Sequence, residues 1–311
     1  MFYSITKNYI WKFQLFLFHV LYYDFFSFFA YTPLINTMTK DINEIHKEFE
    51  KLQLEDRYNY ATIPKDTNHT PYNRYRDILP YIHSQYKIKN PRFGRDDGYI
   101  NANIIKLGNK RYIATQGPLK NTINRFWEMI FQELIEKEEV IIVMLTELEE
   151  MGREKCYDYI SNFDETIEKY CSKYGLLLRN FEEEDWDNGV EVRRAYMSKN
   201  GYEFTIEHYW VREWPDFGIP NENDGNLEVI KDRNWGKSVI VHCSAGVGRS
   251  GTFIASDYLY KFYEPKEGEK SKCDKIYDIV SEMRKSRVMM VQKFEQYEYL
   301  YKLFCNKEES K

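Results

Sequence analysis

Apolar residues along the 311-residue chain fall into blocks of two periods. In residues 41–54, Ile42, Ile45, Phe49 and Leu52 recur three or four apart, which predicts an amphipathic helix with Asp41 at its start. Asn121 or Thr122 caps a second helix, running to about Lys137 with Phe126, Met129, Ile130 and Leu134 on its core face. Residues 273–285 and 297–304 read as two more. Strand-length blocks lie between them. Residues 140–145 are apolar throughout, which predicts a central strand buried on both faces. Residues 97–103 and 112–119 are each a strand flanked by turn residues. Residues 190–197 and 202–211 form two strands joined by a turn at Lys199-Asn-Gly201. Residues 61–71 read as a polar loop with two prolines, and 162–201 is otherwise acidic and variable in character.

One block combines both periods. Residues 238–241 are a short buried strand, followed by a loop with glycines at 246, 248 and 251. From Thr252 to Tyr263, Phe253, Ile254, Leu259 and Phe262 return at helical spacing. A strand, a Gly-rich loop and a helix start make an anion cradle, because small residues let successive N–H groups point inward and the helix dipole adds to them. Cys243 opens this cradle and Arg249 closes it. The N–H groups that would hold a phosphate would also hold Cys243 as a thiolate. Arg249 offers a planar fork for two phosphate oxygens. A thiolate beneath a bound phosphate suggests phosphoryl transfer to sulfur. The spacing Cys-x5-Arg-[Ser/Thr] alone is weak, with about 0.03 chance matches expected in such a chain, but the full string is far more specific.

Composition narrows the picture. The chain is 43% hydrophobic and 30% charged, ordinary for a globular protein, with 27 Tyr and 20 Phe. A net charge of −5 gives nucleic-acid binding no support. The five cysteines show no metal spacing; their odd number, with a site that needs a free thiolate, points to a reducing compartment. Cys156, Cys171, Cys273 and Cys305 read as small buried hydrophobes. His19, His46, His69, His83 and His208 form no ligand spacing. Within residues 1–37, the stretch Ile10 to Ala30 is dense in Phe, Tyr, Leu and Val but broken by Lys12, Gln14, His19 and Asp24. Lys7 and Lys12 precede the apolar run, so an anchor would send the remainder outward into an oxidising space. The preferred reading is a non-core extension before a domain of residues 38–311. Stable membrane insertion is not expected, and adsorption to a membrane surface is the alternative.

The string His242-Cys-Ser-Ala-Gly-Val-Gly-Arg-Ser-Gly-Thr-Phe253 resembles the signature of the tyrosine-specific protein phosphatases. The resemblance spans about residues 41–304 and implies one α/β domain: a twisted mixed sheet flanked by helices, with the site at strand C-terminal ends. By it, the backbone of Ser244, Ala245, Gly246, Val247 and Gly248 cradles the phosphate with Arg249, and His242 sets the Cys243 pKa from behind. Pro71-Tyr-Asn-Arg-Tyr-Arg-Asp77 is similar to the family's recognition loop. There Tyr75 would stack on the phosphotyrosine ring and Asp77 would accept bonds from the peptide backbone. Glu149-Glu-Met-Gly-Arg-Glu-Lys-Cys156 implies that Glu150 pairs with Arg249 and that Lys155 reaches the pocket edge. Where the family has Tyr-Trp-Pro, this chain has Tyr159-Ile-Ser161, a departure that touches local packing. Trp214-Pro-Asp-Phe-Gly-Ile-Pro220 resembles the mobile acid loop, with Asp216 as the proton donor. The polar stretch 221–226 leaves the usual helix before the cradle trimmed. Val291-Gln-Lys-Phe-Glu-Gln296 is similar to the glutamine loop, where Gln292 would orient water and Gln296 would bond nearby. Bulky Met289 would narrow any second phosphotyrosine pocket.

The implied mechanism has two steps through a cysteinyl-phosphate, with Ser250 stabilising the departing thiolate, and it uses no metal or cofactor. The implied partners are phosphotyrosine proteins, acted on by a monomer in the cytoplasm. The Tyr- and Asn-rich style and the trimmed stretch further resemble the phosphatases carried by bracoviruses of parasitoid wasps; an ordinary cellular phosphatase is the other source. The alternative functions are a phosphotyrosine-binding pseudophosphatase and a dual-specificity phosphatase. The presence of Cys243, Arg249, Asp216, Tyr75 and Gln292 argues against the first, and Tyr75 also argues against the second.

Overall fold

The computed structural model describes residues 40–89, 97–186, 189–212, 214–215, 218–219, 238–264 and 272–305. These belong to one unit, Met38–Asn306. Residues 1–37, Asp216 and the stretch 221–237 lie outside the described residues. Within the unit, the apolar run at 140–145 is a strand, Glu139–Met144 (β4), that needs both parities of its side chains. Ile141, Val143 and Leu145 enter one core, and Val140, Ile142 and Met144 enter another on the opposite face.

The sheet around β4 is built from Gln85–Lys87 (β1), Tyr99–Leu107 (β2), Lys110–Thr115 (β3), Leu177–Trp186 (β7), Val190–Lys199 (β8), Tyr202–Val211 (β9) and Ser238–His242 (β10). Two short strands, Glu149–Glu150 (β5) and Arg153–Glu154 (β6), pair with each other and, among the described residues, with no other strand. The order is β1-β2-β3-β10-β4-β9-β8-β7. The four middle strands, β3, β10, β4 and β9, run parallel, and the outer pairs are antiparallel. Helices α1 (Ile42–Thr62), α4 (Gly248–Lys261), α5 (Ile276–Ser286) and α6 (Phe294–Phe304) cover one face. Helices α2 (Ile123–Lys137) and α3 (Phe163–Tyr174) cover the other. This is the expected mixed α/β architecture, with the parallel strands ending together at one rim. No helix among the described residues is long and apolar enough to cross a membrane.

The elements depart from the sequence reading in instructive places. Asp41 caps α1 by accepting from Asn43 N–H at 2.7 Å, but the helix runs two turns beyond 54 into the expected loop. Thr122 precedes α2 without making a helix-cap bond, because its hydroxyl oxygen accepts from Leu119 N–H at 2.8 Å. Helix α3 hides in the acidic stretch, with Phe163, Ile167, Tyr170 and Cys171 forming its buried stripe. The charge run that follows is edge strand β7. Its Glu183 and Glu184 pair with Arg193 and Arg194 of β8 at 2.6 and 3.1 Å, which blunts the open edge. Asp158 steadies the departure at Tyr159-Ile-Ser161, its carboxylate accepting from the backbone N–H of Ile160 and of Ser161, each at 2.9 Å.

The cysteines require a correction. Cys273 and Cys305, read from the sequence as separate hydrophobes, are joined in a disulfide with a Cα–Cα distance of 5.5 Å. The helical turn Lys272–Lys275 and the end of α6 lie side by side, which the separation of 32 positions conceals. The odd count therefore loses its force as a sign of a reducing compartment. Cys156, Cys171 and Cys243 are free and buried.

Candidate active site

Strand β10 delivers its last residues to opposite faces. Val239, Val241 and Cys243 point toward the α4 core, whereas Ile240 points to the other. His242 lies on that second side, its ring 5.6 Å from those of Phe126 and Tyr159. The loop then doubles back at Gly246, whose φ is +71°. A Cβ there would sit 2.0 Å from the Thr115 carbonyl oxygen, so no other residue fits. Gly246 N–H donates to Cys243 Sγ at 3.3 Å. Helix α4 starts at Gly248, earlier than its apolar periodicity begins, and so places Arg249 in its first turn. A Cβ on Gly251 would lie 2.4 Å from Val291 N, so glycine lets the loop carrying Gln292 close onto the cradle. Val291 N–H donates to the Val247 carbonyl at 3.1 Å.

Burial opposes charge on Cys243. Arg249, then the Ser250 hydroxyl and the backbone N–H groups of Ser250 and Val247, outweigh it and hold the thiol below its ordinary pKa. The Ser250 hydroxyl sits near enough to the sulfur to lower it, yet outside full hydrogen-bond geometry to any described group. Arg249 is 2% exposed and held on several sides. Its Nη1 donates to Glu150 Oε1 at 2.6 Å and to the Trp214 carbonyl at 2.8 Å; its Nη2 donates to Thr146 Oγ1 at 3.1 Å and Glu150 Oε2 at 3.3 Å. Both Nη atoms of the fork are thus held by protein oxygens beside the sulfur, and a bound phosphate would have to share or replace some of these bonds.

A cavity of about 90 Å³ opens above the sulfur, lined by Tyr75, Asp77, Ile78, Cys243, Ser244, Ala245, Gly248, Arg249, Gln292 and Gln296. Tyr75 forms one wall. Its hydroxyl donates to Ser244 Oγ at 2.8 Å, while Ser244 donates to the Lys155 carbonyl at 2.9 Å. Arg74 anchors the loop before it with bonds to the carbonyls of Gly117, Pro118 and Glu154 at 2.8–3.1 Å. Asp77 is exposed at the rim. Gln296 Oε1 accepts from the N–H groups of Gln292 and Lys293 at 3.1 and 3.2 Å, and so shapes the glutamine loop itself. Lys155 does not line the cavity; its Nζ lies 3.9 Å from Glu150. Trp214 Nε1–H donates to the Gly218 carbonyl at 3.0 Å; Asp216, the expected proton donor, lies outside the described residues. Met289 lines an adjoining groove of about 450 Å³ with Arg57 and Tyr60. A larger concavity of about 740 Å³, beside Gly175 and Tyr202, has no cysteine or histidine in its lining.

Sequence reading missed the groups behind the cradle. Arg287 is fully buried and donates to the carbonyls of Ala245 and Gly246, each at 2.9 Å. Its Nη1 donates to Asn103 Oδ1 at 2.6 Å, and its Nη2, which also serves the Ala245 carbonyl, donates to Asn101 Oδ1 at 2.9 Å. Pulling those two carbonyls outward leaves the loop's N–H groups facing the anion. The signal was present in Asp97-Gly-Tyr-Ile-Asn-Ala-Asn103: two asparagines at period two on a buried strand require polar partners.

The chain matches the protein-tyrosine phosphatase family model over residues 69–306. It is 32% identical over 281 residues to human tyrosine-protein phosphatase non-receptor type 12, covering 86% of this chain and 34% of that one. It is 38% identical over 239 residues to tyrosine-protein phosphatase 2 of Schizosaccharomyces pombe, covering 74% and 32%. It therefore spans about a third of the length of these relatives. The catalytic domain of human protein tyrosine phosphatase non-receptor type 18 superposes with a TM-score of 0.65 at 25% identity, covering 83% of this chain and 94% of that one. The same enzyme solved in complex with HER2 phosphopeptides aligns at 23% identity with a TM-score of 0.65, covering 83% and 97%. The Cys243 loop and the buried Arg249 fork lie inside the matched stretch, and the chain belongs to the protein-tyrosine phosphatase family.

Proposed function

We propose that the protein hydrolyses phosphotyrosine in proteins through a cysteinyl-phosphate. The observation that carries this reading is a thiol of lowered pKa at the floor of a Tyr75-walled cavity, with Arg249 beside it. The relatives named tyrosine phosphatases support the same activity. In the first step the Cys243 thiolate attacks phosphorus, and a P–S bond forms as the bond to the tyrosine oxygen breaks. The backbone N–H groups of residues 244–249 and the Arg249 fork take the equatorial oxygens. Asp216, as a carboxylic acid, gives its proton to the leaving oxygen. In the second step Gln292 places a water, Asp216 takes its proton, and the P–S bond breaks. Ser250 donates to the departing thiolate, and inorganic phosphate leaves. Tyr75 sets the pocket depth that favours a phosphotyrosine ring over the shorter phosphoserine. Asp77 holds the peptide backbone at the rim, and Lys155 steadies Glu150 and the acid loop.

The test is hydrolysis of a phosphotyrosine and a phosphoserine peptide by the full chain. Turnover of the first only, abolished in Cys243→Ser and slowed about hundredfold or more in Asp216→Ala, is expected. Binding of the phosphotyrosine peptide without turnover by the unaltered protein would replace this reading with a binding module.

We further infer a viral factor that acts in the cytoplasm of a parasitised insect's cells, because the tyrosine-rich composition and the short stretch before the cradle resemble bracovirus phosphatases. Finding the coding sequence in packaged viral DNA supports this; finding it only in a chromosome among cellular genes overturns it.

A further inference from the structure

Behind the nucleophile lies a buried hydrogen-bonded string that the two-step scheme leaves unused. Strands β10 and β9 flank β4, with His242 opposite Met144 and His208 opposite Ile142. Both histidines lie on the sheet face away from Cys243, where Tyr159 meets them. The Tyr159 hydroxyl is 2.8 Å from His208 Nε2 and 2.6 Å from His242 Nε2. All three side chains are buried.

The inventory of hydrogens gives this string a direction. His242 Nδ1 lies 3.2 Å from the Cys243 carbonyl oxygen, which can only accept, so Nδ1 carries the hydrogen. Both rings are neutral near pH 7. Burial outweighs the bond to the Cys243 carbonyl and, with Arg74 and Arg249 adding to it, holds His242 down at about 4. Burial, then Arg193 and His242, holds His208 well below the ordinary value. Asp158 and Cys156 are the remaining titratable groups that face the string, through Tyr159. Neutral His242 then has a bare Nε2, so Tyr159 must donate to it. The single Tyr159 hydrogen is thereby used, and its oxygen must accept from His208 Nε2–H. That leaves His208 Nδ1 as a bare lone pair, and this atom is the one buried without a partner. The opposite tautomer would bury an unbonded N–H there and set two lone pairs against each other at 2.8 Å.

We propose that His208 is a positioning residue for the nucleophile loop: by donating to Tyr159 it fixes the tautomer of His242, which in turn holds the Cys243 carbonyl away from the cradle. The peptide unit is planar and trans, so the Ser244 N–H of the same unit points the opposite way. The role rests on the reading of Cys243 as nucleophile, but its first test does not need turnover.

That test is nitrogen NMR of the unaltered full chain carrying 15N-labelled histidine. The expected result is a hydrogen on Nδ1 of His242 and on Nε2 of His208; a hydrogen on Nε2 of His242 overturns the proposal even if the protein proves inactive. The second test compares His208→Gln, whose amide can still donate to Tyr159, with His208→Leu, which cannot. In His208→Leu, kcat on a phosphotyrosine peptide should fall about tenfold with KM little changed, and Gln should restore it to within about twofold. The pH midpoint of Cys243 alkylation by iodoacetate should rise in the Leu variant only. Equal losses in both variants with an unmoved midpoint would show that His208 merely fills space.

Discussion

At the residue scale, Cys243 is 4% exposed, and a thiolate there depends on the donors around it rather than on water. Arg249 leads those donors, and its own geometry is imposed by Glu150, Thr146 and the Trp214 carbonyl. Lysine would keep the charge and lose the fork. Arg249→Lys should therefore lower kcat about a hundredfold or more, read in a peptide hydrolysis assay, and should raise the pH midpoint of Cys243 alkylation. Gly246 is limiting for a different reason. Its positive φ and the 2.0 Å approach to Thr115 leave no room for a methyl group. Gly246→Ala should cost about 2–4 kcal/mol of stability, seen as a fall in thermal midpoint, and should displace the N–H that faces the sulfur. Val291, a β-branched residue at φ +59°, is the converse case, a left-handed position held by the bonds it makes to Val247 and Arg284.

At the element scale, the cradle works because a strand, a loop and a helix are each held by something outside them. Arg287, at the end of α5, fastens the loop to β2 through Asn101 and Asn103. Removing its guanidinium strands four polar groups in the interior. Arg287→Met should cost about 3 kcal/mol or more in urea unfolding and abolish turnover even where the protein still folds. The strand–loop–helix block was legible in the sequence because an anion cradle needs small residues in a fixed order within fifteen positions. The helices with clean stripes and the apolar run of β4 from Val140 on were legible for the same local reason. The support behind the cradle was not, since Arg287 meets its asparagines across 184 and 186 positions, and Tyr159 meets His208 and His242 across 49 and 83. No local period encodes such contacts. Helix α3 escaped notice because its buried stripe is interrupted by charges that face solvent, and β7 because an edge strand can afford to be acidic.

At the scale of the whole molecule, the neutral histidines behind the site make stability depend on pH. Their folded-state pKa values lie below the ordinary 6.5, His242 at about 4. Between those values the unfolded chain binds more protons than the folded one, so stability is full above pH 6.5 and falls as the pH drops. The loss approaches about 1.4 kcal/mol per pH unit for each histidine. Thermal midpoints at pH 7, 6 and 5 should decline in that order, and a flat profile would mean that the rings are charged or solvated. The disulfide between Cys273 and Cys305 acts on the same scale by tying the turn before α5 to the end of α6. Closing a loop of 32 positions is worth about 3–4 kcal/mol by restricting the unfolded chain. Its consequence is practical: a dithiol added to keep the Cys243 thiol reduced is also the reagent that undoes the clasp. Shelf life and specific activity therefore ask opposite things of one buffer, and a preparation optimised for either will understate the other.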